Sequence, residues 1–345
     1  MRRPMLGSVV LAALALAALA QAPPCASRSP SQGDFTLMGP SGVVTARFYA
    51  AENYSDLKEP ELLGALAGGI PVIFHGSGAE RLLDIAEPAI APLNMEGATA
   101  VGVWRHGAGH VSVLVVRDAN PAQADLDAAI RWTEEPPEAP SGAHAQTVTL
   151  IGVLTELDLH MPAGTLASRT EVLRVEEDSP DHDLYELTVT QTLTPGAHTG
   201  ESQWRWTRLD YSAGGGPGSN VELASYSPLP EDARPRGLFT LLWRIVTFRW
   251  ADLFTWLTAG GGVTWTDLSD EAVGLYAVAA EAPQGSDEAA GPLEARHQYV
   301  VRVQEGAASV VNRWTMAMYR KGAAGVEAYA TPRLGGPLAV RPQPS

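Results

Sequence analysis

The sequence is poor in cysteine, which excludes disulfides and thiol chemistry in the core, and poor in lysine, which bears on nucleic-acid binding. Cys25 is the only cysteine among 345 residues, so no disulfide crosslinks the folded part and its core carries no thiol chemistry. Lys58 and Lys321 are the only lysines, and the formal net charge is −15. Because nucleic-acid binding requires a basic stripe, and none exists beyond the N-terminus, a nucleic-acid partner is excluded.

Motifs for catalysis and for cofactor binding are also lacking. Ser77 lies in Phe-His-Gly-Ser-Gly, which lacks G-x-S-x-G spacing and instead indicates a tight turn. His106 and His110 are four residues apart, but Gly107 and Gly109 between them indicate a hairpin rather than a metal-binding helix. We therefore expect a protein that is not an enzyme and that uses no cofactor and no metal.

The N-terminus has the layout of a secretory signal over residues 1–22. Arg2 and Arg3 precede a small-residue apolar run, 6–20, which is shorter than the about 20 residues of a membrane span. Cleavage near Ala20 or Ala22 is favoured over lipidation of Cys25, since Ala22-Pro23-Pro24 matches the lipoprotein pattern poorly. The chain is predicted to be exported, either extracellular or periplasmic, and anchored to a membrane through Cys25 if that residue is lipidated.

Composition divides the rest of the chain into five parts. Residues 23–42 and 331–345 are predicted to be a flexible leader and a disordered tail, and 137–145 a Pro-rich acidic linker. Residues 43–136 alternate strands and helices, including a helix over 59–67 that ends at Gly68-Gly69, a helix over 78–90, and a hairpin of 98–104 with 110–116. They indicate a small α/β sandwich.

Residues 146–330 are predicted to be a mostly antiparallel β-sandwich, because apolar side chains occupy alternate positions in several short runs. Pro195-Gly196 and the Gly-rich stretch 214–220 mark turns between them. The fold class is therefore α+β. The predicted strands are 149–159, 187–193, 203–211, 262–268, 272–280, 297–303 and 310–319.

One segment, 238–258, breaks this pattern with an amphipathic, aromatic-rich helical spacing. Arg244, Arg249 and Asp252 argue against a membrane span. Two interpretations stay open: a helix that caps the open end of the sandwich, or an element that contacts a membrane surface or a protein partner. In the second case the candidate contacts are Trp243, Phe248, Trp250, Phe254 and Trp256.

The order of elements resembles that of the Vibrio-type cytolysins, which are β-barrel pore-forming toxins of the leukocidin family. The most distinctive local match is Phe48-Tyr49 followed by Ala-Glu-Asn-Tyr, in a unit similar to the pro-domain of those toxins. The runs 184–193 and 204–223 resemble early strands and a Gly-rich turn of their cytolysin domain, and the helix at 238 has a counterpart there. The resemblance spans about residues 43–305 and contains no diagnostic motif.

This resemblance implies a secreted, membrane-active protein that could form oligomers. No long Gly/Ser-rich alternating stem and no lectin module are visible, so pore formation by this chain alone is not expected. Two functional hypotheses follow. One is a cytolysin-like protein that acts on membranes; the alternative is a non-catalytic binding module of the cell envelope or periplasm that recruits a partner through the aromatic helix.

Overall fold

The chain folds largely into β-strands, as seen in a computed structural model. The structure describes residues 33–39, 42–55, 58–107, 109–118, 132, 148–160, 162–175, 182–196, 203–215, 220–227, 264–270, 274–282, 292–304, 309–321, 329–330 and 333–341. The predicted fold class, α+β with a mostly antiparallel β-sandwich, is confirmed, and the described residues are mostly β with few helices. Among the described residues, no helix is long and apolar enough to cross a membrane.

Short helices alternate with strands in the first part of the chain. Helix α1 begins with Pro60 in its first turn and ends at Gly68, and it buries Leu62 and Leu66. Helix α2 is much shorter than predicted, because Glu87 adopts a left-handed backbone conformation and Pro88 follows it. The elements are β1 Gly33–Gly39, β2 Gly42–Ala50, a 3₁₀ turn Ala51–Asn53, α1 Glu59–Ala67, β3 Val72–His75, α2 Arg81–Ala86, β4 Ile90–Pro92, β5 Ala98–Arg105 and β6 Val111–Asp118.

Long strands dominate the second part. Those that the sequence predicted are present, and β8, β11, β16 and β17 are additional. The strands are β7 Val148–Leu159, β8 Gly164–Val175, β9 His182–Pro195, β10 Trp204–Gly214, β11 Val221–Ser227, β12 Thr264–Asp267, β13 Leu275–Glu281, β14 Leu293–Gln304, β15 Ser309–Lys321, β16 Tyr329–Ala330 and β17 Arg333–Val340.

The strands form two sheets. The larger sheet has the order β1-β2-β3-β5-β6-β7-β8-β9-β14-β11, and the smaller has the order β12-β13-β10-β15-β17-β4, with β16 beside β15. Strand β6 pairs in parallel with β7, so one sheet runs through both units that the sequence predicted, 43–136 and 146–330. Whether these units fold independently stays a prediction, and the linker 137–145 lies outside the described residues.

Two predicted irregular segments contain strands. In the leader, β1 pairs with β2; in the tail, β17 lies between β15 and β4. The prediction of a disordered tail is therefore wrong for 333–340, and that of a flexible leader is wrong for 33–39. In the tail, Leu334, Leu338 and Val340 are buried, so the burial of apolar side chains outweighs the Gly/Pro-rich composition.

The space between the sheets is apolar at both ends and polar in the middle. Along β8 the inward side chains run from Leu166 through Ser168 and Thr170 to Val172, and all four are buried. Strands β9 and β15 repeat this order, with polar groups between apolar ones. We call the buried polar side chains in the middle the polar band: Glu156, Ser168, Thr170, Gln191, His297, Arg313 and Thr315.

Candidate functional site

A fully buried carboxylate anchors one end of the polar band. Glu156 Oε1 accepts a hydrogen bond from Arg117 Nη1 at 3.2 Å, and Glu156 Oε2 lies 2.6 Å from Arg313 Nη2. The second contact is an ion pair whose angle departs from hydrogen-bond geometry. Burial alone would raise the pKa of Glu156, but Arg313 and Arg117 together hold that pKa below its ordinary value. The carboxyl group therefore stays ionised and neutralises one of the two guanidinium charges.

The rest of the band is a chain of neutral hydrogen bonds. His297 Nε2 donates to Gln191 Oε1 at 2.9 Å, which leaves Nδ1 to accept from the Tyr276 hydroxyl at 3.2 Å. Gln191 in turn donates to the Thr315 hydroxyl, which donates to the Asp210 carbonyl. Burial lowers the pKa of His297 to about 3, so the imidazole is neutral at physiological pH. This arrangement fixes the orientation of the side chains in the band.

A cleft of about 790 Å³ reaches the polar band from the protein surface. Its walls come from the loop after β4, the ends of β6 and β7, and the adjacent parts of the paired strands β15 and β17. The lining residues are Asn94, Glu96, Gly97, Arg117, Asp158, Trp314, Thr315, Met316, Arg333, Leu334, Gly335 and Gly336. A cleft of this size is within the range typical of small-molecule sites.

Two contacts hold the loop after β4 against the cleft. The buried Arg117 donates from Nη2 to the Asn94 carbonyl at 2.8 Å and from Nε to the Glu96 carbonyl at 3.2 Å. Gly336 has a φ of +129°, and a Cβ there would lie 2.5 Å from Asn94 Cβ. Glycine is therefore required for the close approach of β17 and the loop. These contacts form one wall of the cleft.

Trp314 lines the cleft from the outer face of the smaller sheet. Its neighbours across β10 and β17 are Ser212 and Gly335, which are too small to cover an indole. As a result 48% of Trp314 is exposed. An exposed tryptophan of this kind is a common component of binding surfaces.

Further apolar side chains continue this surface across three strands. Val310 lies two outward positions from Trp314 on β15 and is 37% exposed; Leu93 beyond β4 is 56% exposed. Leu93 N donates to the Pro337 carbonyl at 2.8 Å, which places Leu93 beside the outward row Pro337 and Ala339 of β17. We call Leu93, Val310, Trp314, Pro337 and Ala339 the Trp314 face. The exposed Asn312 lies between Val310 and Trp314 on the same outward row and is the polar group within this face. Exposed apolar surface of this kind marks interaction sites.

Charged groups stand at the mouth of the cleft. Asp158 accepts a hydrogen bond from the backbone N–H of Arg333 at 3.1 Å. The Glu96 carboxylate and the Arg333 guanidinium make no hydrogen bond or ion pair with other side chains in the part of the chain that the structure describes. Both groups are therefore available to a ligand.

None of the site residues that the sequence predicted is among the described residues. Cys25 and all five aromatic candidates, Trp243, Phe248, Trp250, Phe254 and Trp256, fall outside the described residues, so their roles stay predictions. His106 and His110 are present in the predicted hairpin, with rings stacked at 4.3 Å; burial and the neighbouring His110 lower the pKa of His106 to about 4. No group of three metal-ligating side chains occurs among the described residues.

The cleft and the exposure of Trp314 were not predicted from the sequence. The cleft joins segments that are far apart in the chain, and no local motif marks such a juxtaposition. Trp314 did carry a signal. Within the predicted strand 310–319 it has the opposite parity to Val311 and Ala317, and this places it on the outward side.

No family model and no curated protein match this sequence. Solved structures do match at low similarity. The Clostridium perfringens NetB toxin in its membrane-inserted form is 7% identical, with a TM-score of 0.32, covering 55% of this chain and 90% of the toxin. Clostridium perfringens delta-toxin is 6% identical, with a TM-score of 0.33, covering 58% of this chain and 95% of the toxin. The predicted resemblance to leukocidin-family pore-forming toxins is confirmed as a weak one. With TM-scores below 0.5 it carries no argument about function.

Proposed function

We propose that this chain is an exported, non-enzymatic protein that attaches to a membrane surface through the Trp314 face. The observation that supports the proposal most directly is this apolar surface, which lies outward on the smaller sheet and leaves about half of Trp314 and Leu93 in water. Arg333 and Arg341 are exposed at the two ends of β17 and so flank the face. Aromatic and apolar groups flanked by arginine suit the headgroup region of a bilayer.

The size of the face is compatible with reversible attachment. The exposed half of a tryptophan is about 100 Å², and its transfer from water contributes about 2.5 kcal/mol at about 25 cal/mol per Å². Leu93 and Val310 each add a smaller amount of the same kind. Because the chain has a net charge of −15, anionic lipids would repel it, and zwitterionic phosphatidylcholine is the better surface.

We expect the purified protein to co-sediment with phosphatidylcholine vesicles, and Trp314→Ser and Leu93→Ser to weaken this binding. The loss for Trp314→Ser should exceed tenfold, because about 1.4 kcal/mol corresponds to a factor of ten. Leu268→Ser is the matched control, since Leu268 is 49% exposed but follows β12, at the opposite edge of the same sheet. The measurement is the bound fraction against lipid concentration.

The same experiment addresses the alternative, a binding module that recruits a protein partner through the helix predicted over 238–258. If both face variants bind vesicles as well as the unmodified protein does, the Trp314 face is not the contact and the proposal is wrong. A loss caused by Leu268→Ser alone would contradict it equally.

Export rests on the basic and apolar segments of 1–22. We expect protein recovered from its native host to begin between Gln21 and Ser27, as determined by mass spectrometry of the N-terminal peptide. A fragment that begins at a lipid-modified Cys25 would identify the lipoprotein route. An intact Met1 would contradict export by cleavage.

A further inference from the structure

The walls of the cleft balance in charge. Two carboxylates, Glu96 and Asp158, and two guanidinium groups, Arg117 and Arg333, line it. Below the surface the charge of Arg117 is shared with Glu156, which also pairs with Arg313, so the three together keep one positive charge. The formal charge of the cleft is zero for the four lining groups alone, and it is also zero when Glu156 and Arg313 are added to them. An ion that left water to enter this cleft would find no excess of opposite charge to compensate its lost hydration.

The mouth of the cleft offers both hydrogen-bond donors and acceptors. The Glu96 carboxylate can only accept, and the Arg333 guanidinium can only donate, while neither is engaged by other side chains in the described ranges. Asp158 accepts from the backbone N–H of Arg333 and is engaged further, so it is not counted among these partners. A hydroxyl group donates and accepts at once, so a ligand with several hydroxyl groups matches this set of partners.

Trp314 supplies an apolar surface to the cleft. It lines the cleft from the outer face of the sheet and is 48% exposed, with Gly335 beside it, whereas the buried Leu334 lines the cleft from the inward side of β17. A pyranose ring has one face of C–H groups and a rim of hydroxyl groups, so it can stack on an indole while its rim bonds to polar neighbours. A volume of about 790 Å³ holds one or two such rings.

From these three properties we propose that the cleft binds an uncharged pyranose sugar, stacked on Trp314 and hydrogen-bonded through its hydroxyl groups to Glu96 and Arg333. The inference deepens the proposed function, on which it rests for the place where the sugar is met: a glycan carried at a membrane surface. Trp314 then belongs to both the cleft and the Trp314 face. Leu93 belongs to the Trp314 face alone and does not line the cleft. This difference separates the two proposals.

The test is ligand-observed saturation-transfer NMR with lactose, maltose and cellobiose, and with 3′-sialyllactose as the charged counterpart of lactose. We expect saturation transfer to at least one neutral disaccharide, with sialyllactose weaker than lactose. Trp314→Ala and Arg333→Gln should each weaken binding of that sugar at least tenfold, and Leu93→Ser should leave it unchanged. Circular dichroism of each variant establishes that the fold is kept.

Two arms distinguish the source of the sugar. If phosphatidylcholine vesicles that contain lactosylceramide bind more tightly than plain ones, and free lactose competes, the sugar is recognised on a lipid. If only free disaccharides bind, the cleft serves soluble or protein-linked glycans. The proposal is overturned if none of the neutral disaccharides binds at millimolar concentration, if sialyllactose binds best, or if Trp314→Ala binds sugar normally. Binding of plain vesicles that Leu93→Ser abolishes, without any sugar binding, would leave the membrane proposal standing alone.

Discussion

Replacing Glu156 by glutamine is expected to lower the free energy of unfolding by about 3–5 kcal/mol, a large share of the stability of an ordinary domain. The carboxylate is fully buried between Arg117 and Arg313, of which 8% and 2% are exposed. Glutamine keeps the shape but removes the charge, and two buried guanidinium groups then face each other without compensation. Urea denaturation of the two proteins, followed by circular dichroism, measures the difference.

A surface ion pair provides the control for this substitution. Glu171 lies 3.2 Å from Arg169, and both side chains are about one third exposed, so Glu171→Gln should cost no more than about 1 kcal/mol. A second substitution tests the cause. If the penalty comes from uncompensated charge, adding Arg313→Gln to Glu156→Gln should cost less than the sum of the two single effects. Equal losses for Glu156→Gln and Glu171→Gln would contradict the proposed role of the buried triad.

The elements with local signals were predictable from the sequence. Helix α1 has Pro60 in its first turn and Gly68-Gly69 at its end, and the structure places it at Glu59–Ala67. The hairpin of β5 and β6 follows from apolar runs on both sides of Gly107 and Gly109. In such segments the backbone preference and the hydrophobic pattern favour the same secondary structure, and the tertiary contacts favour it too.

Strand β8 was missed for a reason that the fold explains. Its inward positions include Ser168 and Thr170, so apolar side chains do not alternate regularly along it. These positions face the polar band, where the inward residues of three neighbouring strands are polar and buried. A hydrophobic pattern predicts strands over an apolar core, and it fails where the core itself is polar.

The cleft could not be predicted from the sequence, because the segments that line it are brought together only by the topology of the sheets. The loop at 94–97 meets β17 only since β4 pairs with β17 at the edge of the smaller sheet. Asp158 reaches the same cleft because β7 runs parallel to β6, which carries Arg117. The sequence drew attention to a conspicuous aromatic segment instead, whereas the exposed tryptophan that the structure describes stands alone in an ordinary strand.

The last strand yields the sharpest test of the fold, because sequence composition and structure disagree there. Leu338→Asp should prevent folding or lower the free energy of unfolding by more than about 5 kcal/mol. Leu338 is completely buried, between Val311 on β15 and Pro92 on β4 in register. The substitution removes a core leucine, at about 2–5 kcal/mol, and places a carboxylate where no described cation pairs with it. Far-ultraviolet circular dichroism and thermal melting measure the loss.

The adjacent residue supplies the matched control. Ala339 alternates with Leu338, points to the outer side of the smaller sheet and is only half-buried, so Ala339→Asp keeps its charge in contact with water. We expect this variant to melt within a few degrees of the unmodified protein, since surface substitutions change stability by about 0.5 kcal/mol. If the two variants melt alike, residues 333–340 do not form the strand between β15 and β4. The Gly/Pro-rich tail would then be disordered, as its composition predicts, and the cleft would lose the wall that Gly335 and Gly336 form.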